Sequence, residues 1–340
     1  MLTLEQFQKV KRVIVHGGSC PDGRASAMIV NDAFRLMYGP SHDVRIEFVM
    51  HSSREHDALE PEPGMLFVDF SVPHDKADAF LEVGTIILDH HRGPKLPDSS
   101  KYSNKEVVQR FVGAGQGVFG DEVEEPGVCG ALLAYEHVWK PVCESWAQDV
   151  YDSEVVFRRM DTIVQPFATL AGVRDTWLTD HPDWVKACKQ AQALQFWPEE
   201  HLLRVPITEW ESLMDIGDIL WQKRCQTVQK VSKKTYPHTS LKGTRLGILQ
   251  GTRLSSDIAE VLGDTVDLVL TYDFVHEDGV LKLSVSTRSH TGYNCASFCG
   301  HYRGGGHTAA AGCHLIVDIS ADPNPYKMLI EAVDAYESLS

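Results

Sequence analysis

The chain has 340 residues, enough for two domains that each bury a core. Its 47 acidic residues outnumber its 32 basic ones, and a formal net charge of −15 argues against a broad basic face that coats long nucleic acid. No apolar run approaches the roughly 20 residues of a membrane span, the N-terminus has no secretory pattern, and eight cysteines without a Cys-x-x-Cys pair read as reduced thiols of a soluble, cytoplasmic protein.

In chain order, residues 12–15 are a short β-branched strand and 16–23 the Gly-bearing turn after it. From Arg24 to about Tyr38 the small and apolar positions Ala25, Ala27, Met28, Val30, Ala33, Phe34 and Met37 suit a helix packed on a sheet. The turn lacks G-x-G-x-x-G spacing, which excludes a dinucleotide fingerprint. Arg24, just inside this helix, suits either a phosphate contact or a solvated surface. Strands follow at 44–49 and at 65–68, the latter ending at Asp69. Another apolar run, Ile86-Ile87-Leu88, leads into Asp89-His90-His91. Alternating strands and helices predict an α/β fold: an N-terminal open, mostly parallel sheet with helices on both faces, linked to a smaller C-terminal α/β domain. In such sheets ligands bind at the carboxyl ends of the strands, where His16, Asp22, Asp69, Asp89 and His90 fall.

Residues 94–126 read as an irregular, partly acidic insertion. Helical patterns resume at 130–142, at 154–171 and through 208–231, the second running toward Asp175. The polar, Pro-bearing stretch 232–244 reads as a linker, so the expected domains are 1–231 and 245–340. The second is predicted to hold strands at 246–249, 268–272 and 281–286, a helix at 256–262, a Gly-rich turn and a final strand-helix pair. Cys295 and Cys299 stand four apart without a second ligand pair, which disfavours a structural zinc there. Carboxylate and imidazole beyond a rigid strand suit a hard or borderline metal. Alone, Asp89-His90-His91 suits a capped turn with surface histidines better than a metal site, and Asp175 a cap or a surface charge.

Five features stand in one order: His16-x-x-x-Cys20-x-Asp22, Asp69, Asp89-His90-His91, Asp175, and Gly304-Gly305-Gly306-His307 continuing into Thr308-Ala309-Ala310-Ala311-Gly312. Over about residues 12–315 this order resembles the DHH phosphoesterase superfamily, in the branch with a C-terminal DHH-associated substrate domain. RecJ-type exonucleases, nanoRNases and cyclic-dinucleotide phosphodiesterases belong to that branch. The family's first motif is H-x-x-x-D-x-D, and here Cys20 stands in place of its first Asp.

The resemblance implies a first metal site of His16, Cys20 and Asp69, and a second of Asp22, Asp69, His90 and Asp175, with Asp69 bridging. It implies that His91 faces the substrate phosphate, which makes His91, Asp22 and Asp69 the catalytic candidates. Arg288 takes the place of the family's substrate-binding arginine, able to clamp a phosphate bidentately. Gly304, Gly305 and Gly306 read as an anion nest, with His307 as a further donor. One or two divalent ions are expected, manganese first. The Cys20 thiolate moves the preference toward iron or zinc, unless Cys20 is only a small buried residue beside a weak site. The expected function is hydrolysis of a small phosphorylated substrate in the cleft between the domains: a short oligonucleotide, a dinucleotide or a phosphonucleotide. Neither long nucleic acid nor membrane is expected as a partner. The alternatives are a nucleotide-binding sensor that lost hydrolysis with Cys20, and an inorganic pyro- or polyphosphatase.

Overall fold

The computed structural model describes residues 3–50, 53–91, 107–109, 127–146, 158–251, 254–277, 279–318 and 323–339. The chain forms two compact units, Met1–Trp221 and Gln222–Ser340, and passes from one to the other inside the helix Met214–Ser232.

Near-continuous apolar runs build the sheet of the first unit. Strands β1 (Arg12–His16), β2 (Arg45–Val49), β3 (Met65–Val68), β4 (Ile86–Asp89) and β5 (Val107–Gln109) pair in the order β2-β1-β3-β4-β5, every pairing parallel. Every residue of β3 and β4 is buried, as a sheet covered on both faces requires. Alternation then divides the side chains. Val13, Val15, Leu66, Val68 and Leu88 pack with the helix Pro21–Tyr38 and with helices beyond residue 128. Ile14, Met65, Phe67 and Ile87 pack on the other face with Phe70, Ala77, Phe80 and Leu81.

This strand order reverses between β1 and β3, and a parallel sheet opens its ligand crevice at the carboxyl ends of the strands that flank such a switch. His16 ends β1, Asp69 follows β3 and Asp89 ends β4, so all three stand at that rim. The helix Pro21–Tyr38 starts there too, with Cys20 as its N-cap and Pro21 in its first turn, where a missing N–H costs nothing.

The expected helix at 130–142 is present as Gly130–Ala134, a π-helical stretch Tyr135–Trp139, and Lys140–Trp146. Of the segment 154–171, residues 154–157 lie outside the described residues, and the later part is the helix Gln165–Asp175, which carries Asp175 in its last turn. The stretch 208–231 opens with 3-10 turns over Ile207–Leu213 before its long helix. The insertion expected at 94–126 lies outside the described residues apart from β5. No helix among the described residues is long and apolar enough to cross a membrane.

The second unit is a six-stranded mixed sheet, β10-β11-β9-β8-β7-β6, in which only β7 and β8 are parallel. Its strands are β6 (Tyr236–Thr239), β7 (Arg245–Gln250), β8 (Leu268–Glu277), β9 (Val280–Arg288), β10 (Gly305–His307) and β11 (Ala310–Ile316). Strand β6 lies inside the stretch expected as a linker, and its Pro237 is tolerated because β6 is a sheet edge. Val228, from the long helix, packs with Leu249, Ile258, Ala259 and Val269 of this unit. On the other face Phe298, Leu329 and Val333 close the core over Leu246, Ile248, Leu270 and Leu283.

Candidate metal centre

Asp69 sits immediately after β3 with φ 55°, a left-handed conformation that few non-glycine residues adopt. Its surroundings impose it: the residue is fully buried and its N–H donates to the Leu88 carbonyl at 2.9 Å. The two carboxylate oxygens face different partners. Oδ2 lies 3.5 Å from His16 Nδ1 and 3.5 Å from Cys20 Sγ. Oδ1 lies 2.9 Å from His90 Nε2 and 3.8 Å from His91 Nδ1.

Asp22, in the first turn of the helix Pro21–Tyr38, accepts hydrogen bonds from the Gly130 and Ala131 amides at 2.6 and 2.9 Å. These are first-turn amides of another helix, so two helix N-termini converge on one carboxylate. His90 Nε2 also lies 3.4 Å from Asp22 Oδ2 and 3.5 Å from Asp175 Oδ2. A side chain at position 130 would overlap the Asp69 Cβ, and one at position 23 would overlap the His16 carbonyl. Both glycines are therefore required for close approach. Asp89 Oδ1 accepts from the His91 amide at 3.1 Å and lies 2.8 Å from its Nδ1, which fixes the imidazole ring.

Burial and mutual repulsion set the protonation of this cluster. Burial, then the charges of Asp69 and Asp175, push the Asp22 carboxyl well up. For Asp69 burial acts upward as well, but hydrogen bonds from His16 and His90 and the His91 charge outweigh it, and the group is held well below the usual carboxylate range. His90 is opposed by burial yet raised to about 10 by its bond to Asp69 and by the charges of Asp175, Asp69 and Asp22. His91 rises to about 9 through Asp89 and Asp69, again against burial. Burial, then Asp69, Asp175 and Asp22, push the Cys20 thiol well up.

The donor atoms suit divalent ions. His16, Cys20 and Asp69 form one group whose ligand atoms lie within 4.8 Å of one another, Asp22, His90 and Asp175 a second, and Asp69, His90 and His91 a third. All six first-unit residues expected as ligands are thus brought together, and His91 stands beside them.

Other expectations are corrected. Arg24 is buried and donates to the Leu194 and Trp197 carbonyls at 2.6 and 2.8 Å, so it is neither a phosphate ligand nor a surface charge. Arg288 has Nε on Ser256 Oγ at 2.8 Å and Nη1 on Ser286 Oγ and the Thr287 carbonyl, so two of its three nitrogens are held by its own unit. The Gly304 amide donates to the Cys299 carbonyl, and Gly305, Gly306 and His307 pair with β11, so the triplet is an edge strand in place of a cradle of converging amides. Its glycines have a packing reason: side chains at 304 and 306 would overlap β11 atoms, whereas 305 faces open space. Cys295 and Cys299 join no metal-capable cluster among the described residues.

Sequence reasoning missed Gly130 and Ala131 as anchors of Asp22 and Asp89 as the support of His91. The small residues Cys129-Gly130-Ala131 at a helix start were the only signal for the first two.

No family model matches the sequence, and a comparison with curated proteins finds no match. Solved structures do match. One described as the DHH domain of a member of the s1p family of ribosomal proteins has a TM-score of 0.59 at 14% identity, covering 98% of this chain and 88% of that one. The chain has the DHH-domain fold. Also matching are an exopolyphosphatase-related protein from Bacteroides fragilis, with a TM-score of 0.48, 14% identity and coverage of 98% and 95%, and a pGpG-specific phosphodiesterase, PggH, from Vibrio cholerae, with 0.42, 13%, 95% and 99%. At 14% identity the first of these likenesses establishes the DHH fold alone.

Two outcomes follow. Gly130→Ala should displace Asp69 and weaken metal binding by about tenfold or more while the chain stays folded, as read by calorimetric metal titration beside circular dichroism; unchanged affinity would refute the close-fit argument. At neutral pH an ion on His90 must displace the proton held there, so metal affinity should rise about tenfold per pH unit for each displaced proton between about pH 7 and about pH 9. A flat affinity in chelator competition over that range would remove His90 from the ligand set.

Proposed function

We propose that the chain is a metal-dependent phosphoesterase whose first unit hydrolyses a small phosphorylated substrate: a short oligonucleotide, a dinucleotide or a phosphonucleotide. The observation that carries the reading is Asp69, one carboxylate presenting each oxygen to a different set of metal-capable side chains. Ions bound there would lower the pKa of an attacking water and neutralise charge on the phosphoryl group.

The chain's own residues supply position. The Gly130 and Ala131 amides hold Asp22 in place, and Asp175 reaches His90 from the end of its helix. Asp89 orients His91, which we assign as the donor to a substrate phosphate oxygen. In the second unit we assign Arg288 Nη2 to substrate binding. The net charge of −15 supports short substrates, since gripping many phosphates requires many basic contacts. All eight cysteines are free thiols, which supports a reducing, cytoplasmic setting.

The test is a product-mass screen of purified protein with manganese against linear and cyclic dinucleotides, a 3′-phosphonucleotide, a 20-mer, pyrophosphate and bis-p-nitrophenyl phosphate. Turnover of a dinucleotide or phosphonucleotide above the 20-mer, lost in Asp69→Ala and Asp175→Ala, is expected. Nucleotide binding without turnover would favour the sensor, and preference for pyrophosphate the pyrophosphatase. Arg288→Ala should raise KM for the dinucleotide by about tenfold to a hundredfold, the loss of one charged hydrogen bond of about 1.5–3 kcal/mol. It should leave the small artificial ester unchanged, and equal losses on both substrates would remove Arg288 from recognition.

A further inference from the structure

We propose that the two ion sites on Asp69 are chemically unlike: His16, Cys20 and Asp69 take a borderline, thiophilic divalent ion of the zinc, iron(II) or cobalt(II) class, and Asp22, His90 and Asp175 take a hard ion of the manganese class. The proposal rests on the two-ion reading above and names which ion each oxygen of Asp69 serves. The donors differ in kind. The Oδ2 side offers nitrogen, sulfur and oxygen, whereas the Oδ1 side offers one imidazole among carboxylates. Thiolate selects softer ions, and carboxylate-rich sets suit manganese.

Spacing supports the division. Metal bonds of about 2.0–2.3 Å in a tetrahedron put ligand atoms roughly 3.3–3.8 Å apart. Cys20 Sγ and His16 Nδ1 each stand 3.5 Å from the same oxygen of Asp69. Helix capping alone does not account for this sulfur. Cys20 does cap, accepting from the Gly23 amide at 3.5 Å, but Ser, Asp or Asn caps better. Cys129 provides an internal comparison. It caps its own helix the same way, accepting from the Leu132 amide at 3.4 Å, and it too lies beside a carboxylate, that of Asp22, but it is fully buried and joins no metal-capable group among the described residues. Cys20 is part-exposed and aimed at a carboxylate that already carries a histidine.

The experiment reads ions and thiols in the full-length chain stripped of metal. Cobalt(II) should give a near-ultraviolet thiolate-to-cobalt charge-transfer band in wild type and none in Cys20→Ser. Zinc should slow iodoacetamide labelling of Cys20, located by peptide mass, about tenfold or more, and manganese alone should not. This arm uses the wild-type chain and so holds even where a variant fails to fold. Loading with one equivalent of zinc and excess manganese should leave one of each per chain by elemental analysis, whereas Cys20→Asp loaded with manganese alone should hold two manganese ions. No charge-transfer band together with zinc-insensitive labelling, or two manganese ions in wild type with Cys20 still reactive, would overturn the proposal. Zinc bound through Cys20 in a chain that turns over no phosphoester would uphold it and end the phosphoesterase reading. Turnover with manganese in both sites would do the reverse.

Discussion

Asp69 makes the centre possible because its backbone is turned out of the strand conformation at the point where β3 ends. A carboxylate that continued the strand would lie on one face of the sheet. In the left-handed conformation it projects into the crevice beside β1, with one oxygen toward His16 and Cys20 and the other toward His90. Such a conformation costs of order 1–3 kcal/mol and persists only where neighbours over-determine it. Here the Leu88 carbonyl holds its amide, and a glycine at 130 lets a helix start in contact with its side chain.

The second constraint is electrostatic. Asp22 and Asp69 are buried, Asp175 is close by, and carboxylates so near one another cannot all carry charge without compensation. The chain supplies that compensation in two forms. Protonated His90 and His91 neutralise the Asp69 side, and the amides of a helix N-terminus stabilise Asp22. Divalent ions would bring more positive charge than the His90 proton they displace, and the carboxylates of Asp22, Asp69 and Asp175 with the Cys20 thiolate are the groups able to balance it.

In the second unit close packing accounts for Gly304 and Gly306. Its Gly triplet lets an edge strand lie close on β11, where side chains at 304 and 306 would collide, while 305 is open. Arg288 is tied to Ser256, Ser286 and the Thr287 carbonyl, a fixed guanidinium that has spent two nitrogens on its own unit.

Much of this was legible in one dimension. Apolar runs that end in polar residues located β1, β3 and β4, and a parallel sheet must put those ends at one rim, so His16, Asp69 and the Asp-His-His run were on the same edge before any contact was known. Residue type alone gave the donor chemistry, including the sulfur at 20. The tertiary structure decided which oxygen of Asp69 meets which ligand, because that depends on a backbone angle with no sequence signature. It decided that Asp22 is anchored by amides 108 and 109 residues away, and that Arg24 is consumed by carbonyls at 194 and 197. Local pattern fixes where a strand ends and what it carries there; the partner of each polar atom is set by segments distant in sequence, whose approach only the packed fold determines.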